Sequence, residues 1–121
     1  MSHWFALLYK LKPGTEAAVE ELFAKSGRPE HDIRSEDGTI KGQLLRTLVF
    51  MGTGMCVRVL EVDGDLAQVA AHMSQQKSVR EFEREVEKYL AVHRDMKSPA
   101  GAQQFFRESG MRCVLNRHRE D

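Results

Sequence analysis

Two arginines stand where a strand pattern favours apolar residues. Arg46 lies in the run Gln43 to Met51 and Arg58 in the run Met55 to Val62, and Gly52, Thr53 and Gly54 between them mark a hairpin. With that turn as the fold point, Arg46, Leu48 and Phe50 are expected to share a face with Cys56, Arg58 and Leu60. Both guanidinium groups then emerge on one side of the sheet. A buried charge must be paired or meet a ligand. Two arginines facing a cavity can hold an enolate, phenolate or carboxylate by charge-assisted hydrogen bonds. The competing reading pairs them with Glu61, Asp63 or a partner chain's carboxylates.

Histidine supplies the second candidate chemistry, because imidazole titrates near neutral pH and suits proton transfer. His93 follows Phe82 and Val86 at helical spacing, which predicts a place on the apolar stripe of its helix. His72 sits at the edge of the stripe before it. A satisfied core or helix-end histidine is the plainer reading of both. His31 beside Asp32 reads as a solvated loop pair. Trp4, Tyr9, Phe50, Met73 and Tyr89, with Met51, Met55 and Met96, suit the walls of a cavity for a flat hydrophobic ligand, although spacing alone makes them core residues first.

The elements that must position these groups follow from pattern. Residues 3–11 are apolar on both alternating faces and end at Pro13 and Gly14, as in a strand covered on both sides. Thr15 can cap a helix from Glu16 to about Ser26, its inward stripe being Ala18, Val19, Leu22 and Phe23. Residues 27–42 are polar and without period, which predicts a long loop. The two arginine-bearing strands come next. Asp65 with Gln68, then Ser78 with Glu81, are capping-box patterns that predict two helical pieces across residues 65–94, broken near Lys77. The charged residues Arg80, Glu81, Glu83, Arg84, Glu85, Glu87 and Lys88 read as the exposed face of the second piece. Ser98 and Pro99 start a last helix, and Gly110 leads into a final strand, MRCVLNRH.

That order predicts an α+β fold of the ferredoxin-like split βαββαβ kind, one domain over residues 1–121, with a four-stranded antiparallel sheet and helices on one face. The second face of such a sheet should be polar in a monomer. Here Trp4, Ala6 and Leu8 oppose Phe5, Leu7 and Tyr9, so a homodimer forming an α/β barrel is expected to cover it. Cys56 and Cys113 are expected as buried free thiols about 10 Å apart across the first strand, too far for a disulfide.

Composition narrows the function classes. Lys plus Arg equals Asp plus Glu at 18 each, so no net field favours nucleic acid or an anionic membrane. No apolar run approaches the roughly 20 residues of a membrane span, and the start lacks a signal-peptide pattern, which together predict a cytoplasmic protein. Walker A, GxGxxG, HExxH, GxSxG and EF-hand motifs are missing, so neither a cofactor nor a metal is expected.

Several stretches, taken together, resemble the SchA/CurD-like domain of aromatic polyketide gene clusters: Arg28, Pro29; Glu36 to Gly38; Leu48 to Met51; Val57 to Val59; Gly64 to Leu66; His72, Met73; Arg94 to Met96; and Met111 to Cys113. More distantly, VRVLEVDGD and VREFEREVEKYL are similar to the tetracenomycin-type polyketide cyclases, which are ferredoxin-like and dimerise. The resemblance implies cyclisation or aromatisation of a poly-β-ketone or partly cyclised aromatic intermediate. Under it Arg46 and Arg58 would stabilise an enolate, His93 or His72 would move protons, and Trp4 and Tyr9 would shape the pocket. Where the cyclases' third strand carries a histidine, this chain has Arg58, so that histidine's role does not carry over. A cofactor-independent monooxygenase acting on anthrone-like rings, and a non-catalytic polyketide-binding module, remain alternatives. Contact with polyketide synthase components is a further expectation of the likeness.

Overall fold

The computed structural model describes residues 2–120. In chain order they form β1 (Ser2–Lys10), α1 (Glu16–Lys25), β2 (Asp32–Arg34), β3 (Ile40–Gly52), β4 (Met55–Asp63), α2 (Leu66–Ser74), α3 (Lys77–Val86), a 3-10 turn (Glu87–Tyr89), α4 (Pro99–Ser109) and β5 (Gly110–Arg112). The strands make one antiparallel sheet in the order β2-β3-β4-β1-β5. This is an α+β architecture with an open sheet rather than a closed barrel.

The buried strand residues Leu7, Tyr9, Leu11, Leu44, Cys56 and Val62 all lie on one face of that sheet, beneath the helices. One apolar cluster joins the β1 residues and Cys56 to Val19 of α1, Phe82 and Val86 of α3, and Phe105 of α4. A smaller one joins Leu44 and Val62 to Val69 of α2. The opposite face keeps Leu48, Phe50 and Met55 exposed.

Several expectations are corrected. The hairpin closes through two residues, Thr53 and Gly54, with Gly52 opposite Met55 and Gly54 at φ +74. A two-residue turn shifts the pairing by one relative to a three-residue turn, and a shift of one exchanges the faces. Arg46 therefore pairs with Glu61 on the open face, whereas Arg58 pairs with Val49 and points under the helices. Residues 27–42 are not all loop: they contain β2, which pairs with β3 through Asp32–Gln43 and Ile33–Gly42 and gives the sheet a fifth strand. Two further hydrogen bonds hold that segment to the break between α2 and α3: Glu30 N donates to Gln76 Oε1 (2.7 Å), and Gln76 Nε2 donates to the Glu30 carbonyl (2.8 Å).

Helix starts follow the sequence where a side chain can reach the first amides. Asp65 accepts from Ala67 N, and Ser98 accepts from Gly101 N, both at 3.0 Å. Thr15 instead donates to the Lys12 carbonyl (2.7 Å), and α3 begins at Lys77 without a side-chain cap. The final strand is short: β5 stops at Arg112, and Cys113, Val114 and Leu115 are exposed. Both cysteines are free as expected, but only Cys56 is buried. Among the described residues no helix is long and apolar enough to cross a membrane.

Candidate functional site

Beneath the helices, charged groups have gathered in an otherwise apolar layer. Glu83 of α3 is their centre. Tyr9 Oη donates to Glu83 Oε1 at 3.1 Å, Arg58 Nη1 lies 3.6 Å from the same oxygen, and Arg94 Nη2 donates to Glu83 Oε2. Arg94 Nε also donates to Glu87 Oε2 at 2.8 Å. The side chains of Glu83 and Arg94 are only 14% and 7% exposed, so these pairs are screened little by water. Aromatic rings complete the enclosure: the Arg94 guanidinium lies 4.4 Å from the centroid of Phe105, and that of Arg58 lies 5.4 Å from Phe82.

Backbone pairing explains how Arg94 reaches this layer. After the 3-10 turn, Lys12 N donates to the Tyr89 carbonyl and Ala91 N to the Lys10 carbonyl, both at 2.8 Å, so residues 89–91 dock on the end of β1. The chain then turns, and Asp95 accepts from Lys97 N and Ser98 Oγ, which fixes the loop to the start of α4. Gly101 is required there. A Cβ at this position would stand 2.0 Å from the Asp95 carbonyl oxygen, so only glycine lets α4 approach so closely.

A cleft of ≈ 240 Å³ opens beside this network, along β1 between its attachment to β5 and its attachment to residues 89–91. Tyr9, Arg94 and Phe105 line it, with Leu8, Leu90 and Val92 adding apolar wall and His93, Asp95, Gln104 and Glu108 adding polar groups. Burial pushes the Tyr9 hydroxyl well above the usual tyrosine range; the Glu83 carboxylate adds to the effect, while Arg58 and Arg94 oppose it. Tyr9 is therefore a protonated donor at any ordinary pH. Cys56, buried under the same helices, is pushed up to about 11 by desolvation and is a poor nucleophile.

The residues singled out from sequence divide among three places. Tyr9 and His93 line the cleft, and Arg58 joins it through Glu83 and Tyr9. His93 is not on a helix stripe: α3 has ended, and its imidazole is 92% exposed on the following loop, 3.9 Å from Glu87. Tyr89 packs against the larger core cluster. His72 and Met73 lie on α2 by the smaller cluster, where His72 Nε2 is buried with no hydrogen-bond partner among the described residues. Trp4, Phe50 and Arg46 belong to the open face. Glu83, Glu87, Arg94 and Phe105 were missed as site residues. Glu83 was read as part of an exposed charged face, yet it falls four residues after Val79 and three before Val86, within the inward arc of α3.

Among the described residues, no group of three or more His, Cys, Asp or Glu side chains is placed to hold a metal ion. The arrangement instead offers fixed hydrogen-bond donors and buried positive charge at the wall of a partly apolar cleft. Residues 2–118 match the family described as the SchA/CurD like domain. The chain belongs to that family. Its similar curated proteins include "Polyketide synthase CurD" of Streptomyces cyaneus, 37% identical over 109 residues that cover 90% of this chain and 28% of that protein. The "42.8 kDa protein in whiE locus" of Streptomyces coelicolor is 36% identical over the same length, with 90% and 26% covered. "Protein SchA" of Streptomyces halstedii is 30% identical, with 90% and 27% covered. The chain thus spans about a quarter of the length of the curated SchA/CurD relatives it matches. No solved structure matches it.

Proposed function

We propose that this SchA/CurD-family chain is a polyketide cyclase or aromatase-type protein acting on a poly-β-ketone or a partly cyclised aromatic intermediate. The observation that carries the reading is the Tyr9–Glu83 pair, held between Arg58 and Arg94 at the wall of the cleft. The relative named a polyketide synthase supports the substrate class. A methylene between two carbonyls is already acidic, so the chemistry asks for little more than a folded substrate, exclusion of water and stabilised negative charge. Loss of a methylene proton gives an enolate, whose carbon attacks a ketone carbon. The new alkoxide takes up a proton, loss of water across the new bond gives an enone, and enolisation of the remaining ring ketones gives the aromatic ring.

In this reading Arg58 is a positioning residue: it holds Glu83, which accepts the Tyr9 proton, and the two guanidinium groups around that one carboxylate leave net positive charge to stabilise an enolate in the cleft. His93, exposed at the rim of the cleft, is the group proposed to take the methylene proton and to return one to the new alkoxide. Arg46 has no part, since it stands on the other face of the sheet. The strand order and the helices on one face also support a ferredoxin-like split βαββαβ core, extended by β2. We infer that a second copy covers the open face, where Trp4, Leu8, Leu48, Phe50, Val57 and Val59 gather.

The test is to supply the purified protein to a minimal polyketide synthase, under oxygen and under nitrogen, and to resolve the products by chromatography. Production of one cyclised compound should rise equally in both atmospheres, and Arg58→Met should lower that gain by about 10²-fold. A gain confined to oxygen would replace this reading with the cofactor-free monooxygenase. An unchanged profile in every arm would sink both enzymes.

A further inference from the structure

Arg94 carries an observation that the proposed reaction leaves unused. Its side chain is 7% exposed and it lines the cleft, with Nε and Nη2 occupied by Glu87 and Glu83. Nη1 is buried and has no hydrogen-bond partner among the described residues. An unmet donor on a buried guanidinium is costly, and two carboxylates already fix the group in place. Phe105 supports the guanidinium plane, so its fork is held rigid where a lysine would swing. The Asp95 and Gly101 approach then locks the loop that carries it.

We propose that Arg94 is the oxyanion-recognising residue of the cleft, its Nη1 donating to the phenolate, enolate or carboxylate oxygen of a planar ligand seated against Leu90 and Phe105. The inference rests on the reading of the cleft as a polyketide site and adds the feature its ligand must carry. An acidic oxygen at the edge of a flat ring system is selected, and the same skeleton with that oxygen capped is rejected. Specificity of this kind follows because a capped ligand leaves the buried donor unmet.

The probe is 3-hydroxy-2-naphthoate, compared with its methyl ester by titration calorimetry on the whole chain. The acid should bind at least about tenfold more tightly than the ester. The charge-balanced double variant Glu87→Gln with Arg94→Gln should lose that preference while its far-ultraviolet circular dichroism is unchanged. Should the double variant not fold, amide and side-chain chemical shifts in the wild-type protein decide: the acid must perturb Arg94, Tyr9 and Phe105, and the ester far less. Equal affinities, a preference that survives in the folded double variant, shifts centred on the open face of the sheet, or no binding of either probe would overturn the proposal. Binding is measured apart from turnover, so acid preference without any effect on synthase products would sink the cyclase reading and leave Arg94's role standing. An effect on products without acid preference would do the reverse.

Discussion

Glu83 stands between two guanidinium groups and a phenol, and each of the three depends on it. Taking a carboxylate and an arginine out of water is unfavourable, and the attraction between them offsets that loss only while both are present. Removing one partner therefore does more harm than removing the pair. Glu83→Gln should destabilise the fold by about 3–5 kcal/mol in urea denaturation, because it strands Arg58, whose Nε already has no partner among the described residues. Adding Arg58→Met should restore part of the loss, since a methionine fills the space between Phe23 and Phe82 without a charge. A double variant less stable than Glu83→Gln alone would show that Arg58 acts as packing rather than as charge. The same argument explains why this network could not be read from charge alone. On α3, Glu81, Glu83 and Glu85 are alike as letters, and only their angle relative to Phe82 and Val86 separates the buried one from its neighbours.

At the scale of elements, alternation placed β1, β3 and β4 and the helical period placed the helices, with caps formed as expected only at Asp65 and Ser98, because strand and helix periods are properties of the local chain. What lay beyond reach was set by small geometric choices. One residue in the turn at Thr53 and Gly54 decided whether Arg46 and Arg58 would meet, and the composition of Gly52 to Gly54 fits either turn length. β2 is three residues long and lacks an apolar period, so its pairing with β3 had no signal of its own. The α3 stripe ran through Leu90 to His93 on paper, but the backbone of residues 89–91 is taken by β1, which ends the helix and carries His93 outward. That same diversion brings Arg94 in. The join between α4 and the 95 loop is its weak point: Gly101→Ala should force the two apart, with a loss of about 1–3 kcal/mol in thermal or urea unfolding and a weaker response of Arg94 to the naphthoate probe. A Gly101→Ala protein of unchanged stability would mean that the loop has room to move.

Among the described residues, the face of the sheet away from the helices has no cover. Leu48, Phe50 and Met55 are exposed, and Trp4, Leu8, Val57 and Val59 lie beside them on the same side of β3, β4 and β1. An exposed apolar surface of this kind supports the proposed second copy. Its charges suit a two-fold arrangement, for Arg46 and Glu61 are direct cross-strand partners at its margin, so each copy presents both signs to the other. The charge network of the site lies on the opposite side of the sheet, under the helices, and Leu8 at the edge of β1 borders both the cleft and the open face. Phe50→Asp should accordingly convert a dimer to a monomer in sedimentation velocity, because a charge buried against a second apolar sheet would lack a partner. Its affinity for the naphthoate probe should stay within about threefold of wild type, roughly half of the 1.4 kcal/mol that a tenfold change represents. A wild-type protein that sediments as a monomer at every concentration would refute the second copy. Loss of probe affinity in the Phe50 variant would instead show that the two faces of the sheet are coupled, and that the dimer helps to hold β1, and with it Tyr9, in place.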